Sequence, residues 1–120
     1  MADLRAEVRC ILIGLAAERR TIVYRDLAKA ADIPPPQTIH KLTDALEDMV
    51  HGDHAEGRPL LAALAVSRGP EGIPGPGFFR LAASLGLYDG EDSGPSAQAF
   101  HRAELGRAYD YWGAGEKRSR

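Results

Sequence analysis

The chain has one cysteine, one tryptophan, two methionines and three phenylalanines among 120 residues. A lone cysteine, Cys10, excludes an internal disulfide and any multi-cysteine zinc site. Positive charge is not in excess: 15 Lys and Arg stand against 17 Asp and Glu, a net −2. A uniformly basic nucleic-acid coat is thereby excluded, whereas a local basic patch is not. Apolar runs such as 60–66 are far too short to span a bilayer. The first eight residues mix Asp3 and Glu7 with Arg5 and lack the basic start and apolar stretch of a secretory signal. The expected location is therefore cytoplasmic, with no membrane partner.

What remains is a globular composition, 44% apolar and 27% charged. The length suits one domain with one modest core, expected over residues 1–112, followed by a flexible polar tail at 113–120. The 13 glycines and eight prolines cluster, most densely between Arg68 and Gly77.

Val8, Ile11, Leu12 and Leu15 keep i, i+3, i+4, i+7 spacing and predict an amphipathic helix over 3–18. Ala6, Cys10, Ile13 and Ala17 form a second, weaker stripe on its flank, as a helix with two neighbours would have. Residues 21–24 are β-branched and aromatic and predict a short strand. A short helix follows over 25–31, ended by Pro34, Pro35 and Pro36. Pro36 can open the next helix, in which Ile39, Leu42, Leu46, Met49 and Val50 are expected to face inward. Residues 60–67 read as a strand covered on both faces. The Gly/Pro-rich loop comes next, then a helical stripe of Phe78, Leu81, Ala82 and Leu85. The acidic loop 88–94 is expected to be mobile. Ser96 is expected to cap a last helix, in which Ala97, Phe100, Ala108, Tyr111 and Trp112 share one wedge. The order predicts a mainly α protein with a small β-sheet (α+β): a winged helix-turn-helix extended by two C-terminal helices.

The segment Thr21-Ile22-Val23-Tyr24-Arg25-Asp26-Leu27-Ala28-Lys29-Ala30-Ala31 resembles the entry into a helix-turn-helix of the winged-helix class. It is also similar, distantly, to the DNA-binding half of the alkyltransferase-like proteins. That family carries a Pro-Cys-His-Arg or Pro-Trp-His-Arg element after its helices. The comparable stretch here, Arg58-Pro59-Leu60-Leu61-Ala62, has neither cysteine nor tryptophan, so alkyl-transfer chemistry is not carried over. Two further motifs, Asp53-His54-Ala55-Glu56-Gly57-Arg58-Pro59-Leu60-Leu61 and Gly72-Ile73-Pro74-Gly75-Pro76-Gly77-Phe78-Phe79, resemble an uncharacterised family of small bacterial proteins, together with a terminal Tyr109-Asp110-Tyr111-Trp112. That resemblance implies a fold and no activity.

In a helix-turn-helix the second helix enters the major groove by its N-terminal residues. Here that implies Gln37, Thr38, His40 and Lys41 at base edges, with Arg19, Arg20, Arg25 and Arg68 on phosphates of double-stranded DNA. Asp44, Glu47 and Asp48 follow on the same helix. Residues 1–50 carry seven basic and eight acidic side chains, which weighs against strong phosphate binding. The alternative is a protein-interaction module. It would dimerise or hold a partner through Ala6, Cys10, Ile13 and Ala17 together with Phe100 and Trp112. His51, Asp53, His54 and Glu56 resemble a metal cluster, but zinc wants three or four ligands in fixed geometry and no Cys or further His lies close by in sequence, so an exposed helix end is expected instead. Glu56 and Arg58 are expected to pair there. Cys10 has no His or Asp placed by sequence to activate it, and no serine elbow is present. No catalysis and no cofactor are expected.

Overall fold

The computed structural model describes residues 3–113. Helix α1 (Leu4–Ala17) is capped by Asp3, whose carboxylate accepts the Arg5 N–H. It buries Val8, Leu12 and Ala16, one residue per turn of a single stripe. Strand β1 (Ile22–Val23) runs directly into α2 (Tyr24–Ala30), which buries Leu27 and Ala28. The prolines then hold the chain out of helix until α3 (Thr38–Ala55). Six inward positions of α3 form the centre of the core: Leu42, Ala45, Leu46, Met49, Val50 and Asp53.

Residues 60–67 do not form one strand as expected. Leu61–Leu64 is a 3₁₀ turn, and only Ala65–Val66 (β2) is extended. Ahead of β2, side chains rather than a neighbouring strand take backbone groups of this segment. Glu104 accepts the Leu60 N–H at 2.7 Å, Asp53 accepts the Leu61 N–H at 3.2 Å, and His101 Nε2 bonds the Ala63 carbonyl at 2.8 Å. Continuous burial from Leu60 to Val66 is thus satisfied by a coil threaded through the core. The sheet is a parallel pair, with Ile22 opposite Ala65 and Val23 opposite Val66. A parallel pair needs a long crossover, and α2 and α3 supply it.

The Gly/Pro loop leads from β2 into α4 (Pro76–Ser84) and does not return as a further strand. Pro74 and Pro76 have no N–H to offer a ladder. The loop is closed instead by Ser67 N–H on the Ile73 carbonyl and by Gly75 N–H on the Tyr24 hydroxyl at 2.9 Å. Helix α5 (Pro95–Ala108) starts one residue before Ser96, with Gly94 at its N-cap. Ser96 pairs with the Tyr88 hydroxyl instead. The helix ends in a π-helical turn, Tyr109–Gly113, so Tyr111 and Trp112 leave the α-helical wedge expected of them. Gly113 is buried within this turn, while 114–120 lies outside the described residues.

Two clusters make up the interior. The larger gathers α1, α2, α3 and the 3₁₀ turn; the smaller is aromatic, with Phe79 at its centre and Phe78, Tyr88 and Phe100 around it. Tyr88 and Phe100 stack at 4.7 Å between centroids. The acidic loop is tied down rather than loose. Tyr88 donates to the Glu91 carbonyl, Arg80 pairs with Asp92 at 3.1 Å, and Glu71 accepts the Gly94 N–H. The observed architecture is mainly α with one small sheet, as the order of elements predicts.

Candidate nucleic-acid interface

The first turn of α3 stands clear of the core. Gln37 occupies the N-cap with a left-handed backbone, φ 57°, and its side chain makes no capping bond. The first-turn N–H groups of α3 are therefore left uncapped by side chains and face outward. Thr38 is half-buried and His40 is exposed. Ile39 is 44% exposed, although its spacing predicts a core position. The apolar stripe of α3 begins one turn later, at Leu42, because the proline turn before Thr38 brings no element over the helix start. Lys41 donates to the Pro34 carbonyl at 3.0 Å, which leaves two ammonium protons for other acceptors. His40 lies 3.5 Å from Asp44.

The four arginines expected on phosphate divide into two pairs. Arg19 is 3.3 Å from Asp110 and covers the Tyr109 ring, and Arg20 is 3.1 Å from Glu18. Both are engaged in exposed intramolecular pairs beyond the end of α1. Arg25 and Arg68 are exposed and make no ion pair among the described residues. Lys29, one turn after Arg25 on the outer face of α2, shares that state. Among the described residues, the candidate cations without an acidic partner are therefore Arg25 and Lys29 on α2, Lys41 on α3 and Arg68 on the loop after β2.

The residues expected to form a protein interface are also divided. Ala6 and Cys10 are exposed on α1, while Ile13 and Ala17 are half-covered. Phe100 belongs to the aromatic cluster. Trp112 is used within the fold: its indole N–H donates to the Pro59 carbonyl at 3.0 Å, and Arg9 and Arg58 lie over its ring at 5.2 and 5.4 Å.

Those two arginines belong to an ion cluster around a buried carboxylate that the sequence does not announce. Asp53 is fully buried, and one of its oxygens meets Arg58 at 3.1 Å and Arg9 at 3.4 Å. Arg58 thus pairs with Asp53 and not with Glu56. The signal was its register: Asp53 falls on the stripe of Met49 and Val50, whereas His51 and His54 point to solvent. Among the described residues no group of three or more His, Cys, Asp and Glu is placed to hold a metal ion. Likewise no helix there is long and apolar enough to cross a membrane.

Tyr24 is the other residue that sequence reasoning passed over. It ends the strand run, yet its hydroxyl ties the Gly/Pro loop to the start of α2. Burial raises its pKa against the opposing effect of the Gly75 hydrogen bond, so the phenol stays neutral. Burial likewise raises the Tyr109 phenol, with Arg19 acting the other way.

Comparison with protein-family models, with curated proteins and with solved structures gives no match.

Proposed function

We propose that the chain is a small winged-helix-type DNA-binding protein that works without catalysis, with the first turn of α3 as its reading element. The observation that carries this reading is the exposure of that turn. Gln37, Ile39 and His40 project from a helix whose remaining inner face is fully packed. A helix start presented in this way suits entry into a groove, where Gln can pair with adenine and an apolar side chain can meet a thymine methyl. Unpaired Arg25 and Lys29 on α2, Lys41 on α3 and Arg68 on the loop would supply the phosphate contacts. Glu18 and Asp110 already engage Arg20 and Arg19, which drops those two from the set expected on phosphate.

The acidic residues Asp44, Glu47 and Asp48 limit the strength of binding, so a weak, salt-sensitive association is expected. The test is fluorescence anisotropy of a labelled duplex at low salt. Arg25→Glu is expected to weaken binding about tenfold, in line with the strong phosphate dependence of such complexes. Ile39→Asp, on an exposed position, is expected to abolish it. Equal binding by wild type and both variants would refute this surface as the contact.

A further inference from the structure

A cavity opens between α3, the start of α2 and the start of α4. Its volume is about 230 Å³. Its walls are Leu46 and Val50 from α3 and Phe78 and Leu81 from α4, with Tyr24 closing one side. Among the described residues Glu47 is the only charged one that lines it. The Glu47 carboxylate is exposed and makes no ion pair or hydrogen bond among the described residues.

We propose that this cavity is a binding site for a small cationic aromatic ligand, a single ring on a short amine arm. The ring would sit on the apolar walls and the ammonium at Glu47. Size sets the first half of that description. A dry cavity of roughly 150 Å³ already accepts benzene, whereas drug-sized ligands need about 300 Å³ or more. A volume of about 230 Å³ therefore suits one ring with a short substituent. Charge sets the second half, because a lone carboxylate beside apolar walls selects a cation and disfavours an anion. The N-terminus of α4 also lines the cavity, but its partial positive charge is about half a unit and is outweighed by the full charge of Glu47. The Tyr24 hydroxyl accepts the Gly75 N–H, and its own proton has no acceptor among the described residues. It remains available to a hydroxyl or ether oxygen on the ring. The site does not depend on DNA binding.

Amide chemical-shift titration with benzylamine, benzyl alcohol and benzoate separates these elements. Benzylamine is expected to give saturable shifts confined to the lining, that is Tyr24, α3 from Thr43, Ala62 and Gly75 to Leu81, and benzoate is expected to bind more weakly. Glu47→Gln, an exposed change that leaves the core intact, is expected to weaken benzylamine about three- to fivefold while leaving benzyl alcohol unaffected, the range for an exposed charge pair. Absence of saturable shifts with benzylamine would overturn the proposal. So would equal binding of benzoate, or an affinity for benzylamine that Glu47→Gln leaves unchanged.

Discussion

Asp53 occupies a core position on α3 with a charge, and the cost of burying it is met by three partners. The Arg9 and Arg58 guanidiniums and the Leu61 N–H surround its two oxygens. Removing Asp53 leaves two partly covered guanidiniums and the buried Leu61 N–H without their acceptor. Asp53→Ala is therefore expected to lower the unfolding free energy by about 3–5 kcal/mol, read by urea denaturation. Trp112 emission is expected to shift in the same variant, because both arginines over its ring lose their anchor. His101 gives a pH signature. Burial lowers its pKa against the opposing effect of its bond to Ala63, and its Nε2–H donates to that carbonyl in the neutral form. The unfolded chain then binds a proton more readily than the folded one. Stability is full above the unfolded value of about 6.5 and falls as pH drops below it, by at most roughly 1.4 kcal/mol per pH unit for this group, until the lower folded pKa is passed. A glutamine at 101 keeps a donor but cannot titrate. His101→Gln is expected to flatten that slope in denaturation curves taken across mildly acid pH. An unchanged slope would show that the loss arises elsewhere.

At the scale of elements, the helices were the legible part. The spacing of Val8, Leu12, Leu42, Leu46 and Met49 places them inward, and all are buried. The segment 60–67 was not legible as coil, because an unbroken apolar run has no period to distinguish a strand from a buried turn. Its partners, Asp53, His101 and Glu104, are polar residues on inner faces of α3 and α5. On α5 the buried stripe runs Ala97, His101, Glu104 and Ala108, helical spacing that is invisible when only apolar residues are counted. Ile39 misled in the opposite direction: its period is right, but no element covers the helix start.

The π-helical turn gives a sharp test of how the end of the described chain docks. A Cβ on Gly113 would lie 2.8 Å from the Ala16 carbonyl oxygen, a backbone atom that cannot swing aside. Gly113→Ala is expected to undock the turn from α1 and destabilise the fold. The comparison is Gly106→Ala within α5, where nothing lies within 4 Å. That change is expected to be neutral or to stabilise by about 0.5–1 kcal/mol through helix propensity. Thermal melts should show a lowered midpoint for Gly113→Ala and an unchanged or raised one for Gly106→Ala. At the C-terminus of α3, Gly57 has φ +70° with open space around it. Gly57→Ala is therefore expected to cost about 1 kcal/mol through backbone strain alone.

At the scale of the whole molecule, the net charge of −2 conceals an uneven distribution. Arg5, Arg9, Arg19, Arg20, Arg58, Arg80 and Arg107 are taken up by acidic partners within the fold. Among the described residues Arg25, Lys29 and Lys41 stand around the α2–α3 turn with no acidic partner, and neither Arg68, on the loop after β2, nor Arg102, on α5, has one. This division was not legible in the sequence. Counting charges over residues 1–50 shows near balance, but not that Arg19 meets Asp110 across 91 positions. The candidate reading surface thus keeps Gln37, Thr38, His40 and Lys41 at the helix start, and its phosphate set changes to Arg25, Lys29, Lys41 and Arg68 as Arg19 and Arg20 drop out. Duplex affinity measured as a function of salt tests that surface most directly. Four phosphate contacts predict a slope of log K against log salt of about −3.5. A slope near zero, or no binding to any duplex at low salt, would contradict it.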